Sequence, residues 1–177
     1  SYHYNGGENE EENYKDGKLE GEWFQFFPNG ELKVRGNYKD GKKDGKWTSY
    51  YENGKIEIPE LETGQLCSEG YWKDGKRNGR HTLYHENGQL HTEENYKDGK
   101  KHGKLIDYYE NGQIRQEGIY KVGKVTIDGK LTQYHENGMI QREGNTKDHK
   151  MNGKWTYYNE DGIKQRVEEY KDGKLIK

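Results

Sequence analysis

The sequence has little of what builds an ordinary protein core and little of what carries enzyme chemistry. It contains no alanine, one cysteine (Cys67), two prolines and three serines among its 177 residues. Hydrophobic residues account for 27% of the chain, well below the level usual for a globular domain. A lone cysteine excludes an internal disulfide, and no apolar run approaches the roughly 20 residues that span a bilayer. We therefore expect no thick apolar core, no disulfide framework and no transmembrane segment.

The residues that are present argue for a folded chain. Low hydrophobic content usually accompanies disorder, but the net charge is only −2. The 16 tyrosines, 4 tryptophans and 3 phenylalanines also recur at regular positions, and a disordered chain has no physical reason to space its aromatic residues. We predict that aromatic rings and lysine stems lying on a sheet take the place of a conventional core.

A repeated pattern, an aromatic residue before Lys-Asp-Gly or a close variant, runs along the chain. Its first position is aromatic in all repeats but one, where threonine replaces the ring: Tyr14, Tyr38, Trp72, Tyr96, Tyr120, Thr146 and Tyr170. The successive spacings of 24, 34, 24, 24, 26 and 24 residues predict a repeat array. We predict a single repeat domain over 1–177, with an insertion at 57–66. Its half units are 1–12 and 169–177, and its full units are about 13–36, 37–70, 71–94, 95–118, 119–144 and 145–168.

Each unit is predicted to form two antiparallel strands, as at 32–38 and 46–51. Threonine, tyrosine, tryptophan and isoleucine dominate these segments, and glycine and asparagine bound them. Short connections make neighbouring strands sequential and antiparallel. The sequence therefore predicts an all-β fold, an elongated antiparallel β-meander of about six 24-residue β-hairpin repeats in a single-layer twisted sheet.

Two kinds of turn connect the predicted strands. The Asn-Gly pairs, such as Asn111-Gly112, predict two-residue type I′ turns with positive φ at both residues. At Asn53-Gly54 such a turn places Tyr51 opposite Ile56. The other turn, from Asp40 to Gly45, contains two glycines and is predicted to be longer.

Side-chain alternation assigns the aromatic residues to two faces. One column comprises Trp23, Trp47, His81, Leu105, Leu131 and Trp155. The column on the opposite face is aromatic in all units and comprises Phe26, Tyr50, Tyr84, Tyr108, Tyr134 and Tyr158. Four glycines at matching positions are predicted to lie where a bulky neighbour would otherwise collide. They are Gly36, Gly70, Gly118 and Gly144.

The sequence at 50–56, 65–76 and 108–121 resembles the MORN-variant repeats of bacterial proteins. The shared pattern is Y-Y-E-N-G-K-[IL] followed by E-G-x-Y-K-[DN]-G-K-x-x-G-x-W. Similar arrays are named YwqK-type antitoxins, after their likeness to immunity proteins encoded beside toxins. Related eukaryotic MORN repeats are associated with phosphoinositide kinases and membrane-proximal scaffolds. The resemblance implies a β-hairpin repeat fold and a non-enzymatic interaction role.

The lysine-rich turns are the first candidate binding surface. The turns at 39–46, 73–80, 97–104, 121–130, 147–154 and 171–177 carry formal charges of +2 or +3 each. In a meander these turns share one edge, which we expect to be basic, while Glu69, Glu93, Glu117 and Glu143 lie toward an acidic opposite edge. The candidate residues are Lys42, Lys43, Lys76, Arg77, Lys100 and Lys101. The basic edge could bind anionic groups, or it could simply keep a β-ribbon soluble and block edge pairing.

A second candidate surface is aromatic and comprises Trp47, Tyr51, Trp72 and Trp155. Tryptophan and tyrosine dominate the energetics of many protein interfaces. The alternative is that these rings pack within the sheet.

Catalytic, metal and cofactor sites are not predicted. His81 and His85 share a strand face but lie about 13 Å apart at 3.3 Å per residue, too far for one zinc ion. His85 and His135 occupy a column where tyrosine serves equally well, so we interpret them as packing residues. The sequence has no activated nucleophile and no phosphate-binding glycine loop. We therefore predict that the protein is not an enzyme.

These observations favour a protein-interaction repeat, antitoxin-like or immunity-like, whose partner is a toxin or another protein. The alternative is a membrane-proximal scaffold, or a surface or exported protein, that binds anionic lipid or a host partner through the basic edge. Nucleic acid is disfavoured because the pI is about 6.4. Terminal strands with open edges could support self-association. No leader is evident in a chain that begins at serine, so the compartment stays open.

Overall fold

The computed structural model describes residues 10–52, 64–120 and 127–177. Within these ranges there is no helix, and neighbouring strands such as Gly21–Phe26 and Leu32–Lys39 pair antiparallel. The predicted all-β fold of hairpins is therefore confirmed. Contacts between residues group the chain into two compact units, 1–88 and 89–177.

Nine strands lie in the described part of the first unit, residues 10–52 and 64–88. They are β1 (Glu10–Glu11), β2 (Tyr14–Lys15), β3 (Lys18–Leu19), β4 (Gly21–Phe26), β5 (Leu32–Lys39), β6 (Lys42–Lys43), β7 (Gly45–Tyr50), β8 (Leu66–Lys73) and β9 (Lys76–Tyr84). The strand order in its main sheet is β1-β4-β5-β7-β8-β9, with β6 paired to β5, while β2 and β3 pair separately. Strands β5 and β7 correspond closely to the two strands predicted for that repeat.

Residues 89–120 and 127–177, the described part of the second unit, also form nine strands. They are β10 (Leu90–Lys97), β11 (Lys100–Lys101), β12 (Gly103–Tyr108), β13 (Ile114–Tyr120), β14 (Ile127–Tyr134), β15 (Ile140–Lys147), β16 (Lys150–Tyr158), β17 (Lys164–Lys171) and β18 (Lys174–Leu175). The strand order is β10-β12-β13-β14-β15-β16-β17-β18, and β11 pairs with β10.

The Lys-Asp-Gly-Lys segments form the tight two-residue turns, so the predicted longer turn is wrong there. Lys39 pairs with Lys42, and Asp40 and Gly41 between them have φ values of 50° and 76°. Positive φ at both central residues is the signature of a type I′ turn, whose twist matches that of the flanking strands. Gly45, the second glycine of the segment, has a φ of 80° and lies at a bulge, which explains why glycine occupies this position.

The Glu-Asn-Gly segments form three-residue loops, so the predicted type I′ turn at Asn-Gly is also wrong. Tyr109 N donates to Gln113 O at 2.8 Å, and Gly112 N donates to Tyr109 O at 2.9 Å. Within this loop the positive φ, 82°, belongs to Gly112. The Asn111 side chain accepts from Gln113 N at 2.9 Å. This is a type I turn followed by a glycine bulge.

Most of the predicted insertion lies outside the described residues, as do Asn53-Gly54 and the pairing predicted for Tyr51 and Ile56. At the end of the insertion, Tyr51 N donates to Gln65 O at 2.9 Å. Tyr109 makes the same contact with Gln113. Gln65 thus occupies the position that follows the glycine in other repeats.

Large rings lie flat over glycines on one face, which we call the tryptophan face. Trp47 is 3% exposed and Trp155 is 1% exposed. A Cβ atom built on Gly36 would lie 2.1 Å from the Trp47 ring, and one on Gly144 would lie 2.4 Å from the Trp155 ring. The prediction that these glycines avoid a collision is confirmed. The opposite face, called the tyrosine face, carries the column of Tyr84, Tyr134 and their equivalents.

Candidate interaction surface

The tight turns stack on one another through backbone hydrogen bonds. Gly41 N donates to Leu19 O at 2.9 Å, and Gly75 N donates to Lys43 O at 2.8 Å. An acidic side chain of the preceding repeat supports the turn, since Glu20 accepts from Asp40 N at 2.8 Å. The stacking sets the basic residues of successive repeats side by side along one edge of each unit.

We call these residues the turn row of each unit. The turn row of the first unit comprises Lys39, Lys42, Lys43, Lys73, Lys76 and Arg77. The turn row of the second unit comprises Lys97, Lys100, Lys101, Lys147, Lys150, Lys171 and Lys174. Most of these side chains are exposed, and Lys43 and Lys101 are half-buried.

The mid-sheet lysines differ from the turn row because carboxylates on the tyrosine face neutralise them. In the second unit Lys104 Nζ lies 2.9 Å from Glu117 Oε2, and the Tyr134 hydroxyl donates to Glu117 Oε1 at 2.7 Å. The hydrogen bond from Lys104, then that from Tyr134, holds the pKa of Glu117 below its usual range. The same trio recurs as Lys46, Glu69, Tyr84 and as Lys130, Glu143, Tyr158.

These trios correct the predicted acidic edge. Glu69, Glu117 and Glu143 lie in the middle of strands β8, β13 and β15, with each carboxylate held by a lysine and a tyrosine. Glu93 likewise accepts from the Tyr108 hydroxyl at 3.0 Å. The predicted separation into a basic and an acidic edge is therefore wrong for the glutamates, because cross-strand pairing places them under lysines of the preceding strand.

By contrast, most of the turn row of the first unit has no carboxylate partner. Within residues 10–52, 64–120 and 127–177, Lys39, Lys42, Lys43, Lys73 and Lys76 form no ion pair. Lys39, Lys42, Lys73 and Lys76 are exposed and present their charges to solvent along this edge, while Lys43 is half-buried over the Trp47 ring.

The predicted aromatic surface is largely internal. Trp47 and Trp155 are buried and cannot meet a partner directly. Tyr51 is half-buried and donates to Tyr84 O at 2.7 Å, a contact that His135 reproduces with Tyr158 O at 3.2 Å. The placement of Trp47 and Trp155 on an exposed face is thus corrected, since their rings fill the space above glycines. The packing interpretation of His135 agrees with its contact.

Trp72 packs against neighbouring rings and lies near two cations of the turn row. Its ring centroid lies 6.1 Å from that of Trp47 and 4.6 Å from that of His81. Lys43 Nζ lies 3.8 Å from the Trp47 ring centroid and 5.7 Å from that of Trp72. The Arg77 guanidinium also lies 5.7 Å from the Trp72 centroid. Cations stacked on tryptophan gain from the ring quadrupole.

Lys101 occupies the position of Lys43 in the second unit, but a carboxylate neutralises it. Its Nζ lies 2.6 Å from Glu94 Oε2, and the Tyr96 hydroxyl donates to Glu94 Oε1 at 2.5 Å. Glu94 is 8% exposed. The side-chain hydrogen bond and the charge of Glu94 outweigh burial and raise the pKa of Lys101. Of the predicted basic residues in this unit, Lys100 is the exposed one.

A chain of polar side chains crosses the tryptophan face of the second unit, and sequence reasoning missed it. Thr92 donates to Asp107 Oδ1 at 2.9 Å, Gln116 also bonds Asp107, and Gln133 donates to Gln116 at 3.1 Å. Arg142 continues the chain by donating to Gln133. The missed signal was polar residues at two repeat positions, one two residues before the glycine column and one two residues after the tryptophan column. These side chains satisfy one another's buried polar atoms with hydrogen bonds, so we interpret the network as structural.

An open groove indents the tyrosine face in the described part of each unit. The groove in the second unit has a volume of about 340 Å³ and is lined by Lys104, Glu117, Ile119, Lys130 and Thr132. The groove in the first unit has a volume of about 450 Å³ and is lined by Glu22, Phe24, Arg35, Lys46 and Thr48. Lysine–glutamate pairs account for much of the charge in the second groove.

The described ranges contain no group of three or more histidine, cysteine, aspartate or glutamate side chains placed to hold a metal ion. No helix within those ranges has the length and apolar character needed to cross a membrane.

Comparison with known families gives one match. The family described as MORN repeat variant matches six segments, at residues 19–40, 43–58, 77–98, 101–121, 127–148 and 151–176. Together these segments cover well over half of the chain. The family is generally non-enzymatic, and its repeats act in protein or membrane interaction. Comparison with curated proteins found no match.

Proposed function

This chain belongs to the MORN repeat variant family, and we propose that it is a non-enzymatic protein-interaction module that binds an acidic protein surface through the turn row of the first unit. The contrast between paired mid-sheet lysines and unpaired turn lysines supports the proposal. Lys46 is bound by Glu69 at 2.7 Å, whereas Lys42 and Lys76 are exposed and without a described carboxylate. An interface that presents like charges attracts a partner of opposite sign and steers its approach.

An antitoxin or immunity protein is the role we favour, with a toxin as the acidic partner. Such a protein acts by occluding its partner and needs a surface rather than a catalytic site. The described residues supply that surface as a row of backbone-stacked turns, which hold their lysines in register. The resemblance of the repeat pattern to YwqK-type antitoxins is the further support for this role.

Binding of anionic lipid through the same turn row is the second candidate function. Each basic residue near an anionic membrane surface contributes roughly 1 kcal/mol. This binding would be lost at high salt, because exposed charges are screened beyond about 10 Å at 0.1 M salt.

Affinity capture with a charge-reversed variant tests the proposal. Lys42→Glu/Lys76→Glu reverses two exposed residues of the turn row in the first unit. Lys154→Glu/Lys164→Glu makes the same change in net charge at two exposed lysines outside the turn rows. We expect one acidic protein to be captured by the wild type and the control variant but not by the turn-row variant. The captured protein, once purified, should bind the wild type with a salt-dependent affinity.

Two outcomes would count against the proposal. Equal capture by all three proteins would place the contact elsewhere on the sheet. Salt-sensitive binding to vesicles containing 30% phosphatidylserine, with no protein captured, would favour the lipid function instead.

A further inference from the structure

The residue that follows the loop glycine changes character in two loops of the second unit. In other repeats this residue is glutamine, at Gln65, Gln89 and Gln113. After the loops at 136–138 and 160–162 it is Met139 and Ile163. Met139 is 50% exposed and Ile163 is 60% exposed. Packing within the sheet does not explain these two apolar side chains, because at least half of each faces water.

The two apolar side chains lie on neighbouring loops that are tied together. Asn137 Nδ2 donates to Glu160 O at 2.8 Å. A Cβ atom built on Gly162, the residue before Ile163, would lie 3.7 Å from the Met139 sulfur. The two loops therefore present one continuous surface, which we call the loop patch. It comprises Glu136, Met139, Glu160 and Ile163.

The rim of the loop patch is acidic. Glu136 and Glu160 are exposed, and neither forms an ion pair with any residue that the structure describes. Asp161 adds a third exposed carboxylate, which accepts from Asn159 Nδ2 at 3.4 Å. One exposed cation, Lys164, lies at the start of β17. Three carboxylates against one ammonium leave the patch with a net negative charge.

Lysine is the side chain that fits an apolar surface with an acidic rim, because its methylene stem covers apolar groups while its ammonium stays at the carboxylate. The turn row of the second unit presents exposed lysines of this kind at Lys147, Lys150, Lys171 and Lys174. They form no ion pair within the described ranges. Strand β15 separates the loop from the turn row by seven residues, about 23 Å at 3.3 Å per residue. The lysines therefore cannot reach the patch of their own chain.

The loop patch and the turn row repeat at the same spacing. Neighbouring turns are tied by the bond from Gly173 N to Met151 O, at 2.9 Å, as neighbouring loops are tied through Asn137. Lys150 and Lys174 are one repeat apart, as are Glu136 and Glu160. Each pair is thus separated by two strand spacings, about 10 Å. Two lysines of a second copy can therefore meet both glutamates at once.

We propose that the loop patch binds the turn row of the second unit of another copy of this chain, edge to edge. The lysine stems cover Met139 and Ile163, and their ammonium groups pair with Glu136 and Glu160. The contact is head-to-tail, so each copy in a pair keeps one patch or one row open, and further copies add in series. This inference goes beyond the proposed function, which uses the turn row of the first unit.

Sedimentation equilibrium of the full chain at low salt tests the contact. We expect the average mass to rise with protein concentration and to fall toward that of one chain at high salt. Met139→Gln/Ile163→Gln introduces the residue that equivalent loops carry, and it should weaken self-association about fivefold or more. Ile119→Gln is the control, because Ile119 is 53% exposed on the tyrosine face, away from the loops. It should change self-association less than about twofold.

A charge exchange identifies the two edges that meet. Glu136→Lys/Glu160→Lys makes the loop patch basic, and Lys150→Glu/Lys174→Glu makes the turn row acidic. Each variant alone should associate at least about tenfold more weakly than the wild type, because like charges then face each other. An equimolar mixture should recover the association, since the acidic patch of one variant meets the basic row of the other.

Three results would overturn the inference. The first is a wild-type chain that stays monomeric at low salt at every concentration. The second is equal weakening by Met139→Gln/Ile163→Gln and by Ile119→Gln. The third is a mixture of the two charge variants that does not associate although both keep their β-sheet circular dichroism. If a charge variant does not fold, the glutamine variant and its control decide the question.

The test is independent of the proposed function, because none of its variants changes Lys42 or Lys76. Capture of an acidic protein through the first unit would stand even if the chain proved monomeric. Failure of the capture experiment would likewise leave a measured self-association in place.

Discussion

The tyrosine hydroxyls on the tyrosine face tie the glutamates into the sheet. Tyr134 donates to Glu117 at 2.7 Å, while Lys104 approaches the same carboxylate from the preceding strand. Burial, followed by the bond to the Glu117 carboxylate, raises the pKa of Tyr134 to about 12. One glutamate is thus shared by three neighbouring strands.

The raised pKa of Tyr134 predicts the pH range in which its bond stabilises the fold. A tyrosine with a folded pKa above the unfolded value of about 10 contributes fully below pH 10, and loses that contribution as the pH rises through about 12. We expect Tyr134→Phe to lower the free energy of unfolding by about 1 kcal/mol at pH 7. Both proteins are titrated spectrophotometrically. The difference between the wild-type curve and the Tyr134→Phe curve should show one tyrosine with a pKa near 12.

Tyr71→Phe is the matched control, because Tyr71 is 50% exposed and its hydroxyl makes no hydrogen bond to a described residue. Its effect on unfolding should be below about 0.5 kcal/mol. A titration component near 10 for Tyr134 would contradict the predicted environment.

The glycines under the rings are predicted to be sensitive to one added methyl group. A Cβ atom on Gly144 would lie 2.4 Å from the Trp155 ring, so Gly144→Ala should destabilise by about 2 kcal/mol through overpacking. In a Trp155→Leu background the same change should cost less than half as much, since the ring is gone. Urea unfolding of the four proteins in a double-mutant cycle measures the coupling. Purely additive effects would show that the ring and the glycine do not compete for space.

At the scale of the element, the tight turn explains why Asp-Gly recurs. Asp40, Asp74 and Asp98 have φ values between 50° and 52°, a left-handed conformation that aspartate tolerates better than most residues. In one repeat the turn is Asp148-His149, and His149 has a φ of 66°. A residue other than glycine is strained there.

We predict that His149→Gly raises stability by about 0.5–1 kcal/mol, because glycine adopts this φ without strain. The reciprocal change, Gly41→His, should lower stability by a similar amount. A Cβ atom on Gly41 meets nothing closer than 3.8 Å, so backbone conformation and not crowding sets the cost. Urea midpoints of both variants measure it. A loss of stability in His149→Gly would mean that the imidazole makes a contact that outweighs the strain.

The strands could be predicted from the sequence, but the two turn types could not. Alternating threonine, tyrosine and tryptophan, punctuated by glycine, defines β5 and β7 because strand geometry is read directly from a period of two. Asn-Gly and Asp-Gly are both compatible with a type I′ turn. The strand register decides which of the two pairs forms the type I′ turn. At Asn111-Gly112 the register excludes it, because Tyr109 is hydrogen-bonded to Gln113 and three residues lie between them.

At the scale of the whole molecule, the repeat period in the sequence indicated the family correctly. The sequence did not indicate which lysines pair with which glutamates. Counting charges by turn assigned Lys46 and Lys104 to the basic edge. The register across strands pairs them instead with Glu69 and Glu117, which lie 13 to 23 residues further along the chain. Such pairs depend on turn length and strand order together, so local sequence could not reveal them. The predicted basic residues flank the tight turns, and their role in binding stays a prediction.

The proposed function depends on the difference between turn lysines and mid-sheet lysines. The most direct test is the equilibrium affinity of the captured acidic partner for three forms of the full chain, measured by calorimetry at two salt concentrations. The forms are the wild type, Lys42→Glu/Lys76→Glu and the charge-matched Lys154→Glu/Lys164→Glu. We predict that the turn-row variant binds at least about tenfold more weakly, roughly 1.4 kcal/mol, while the control changes less than about twofold. Equal loss in both variants would contradict the account, because net charge alone would then explain the binding.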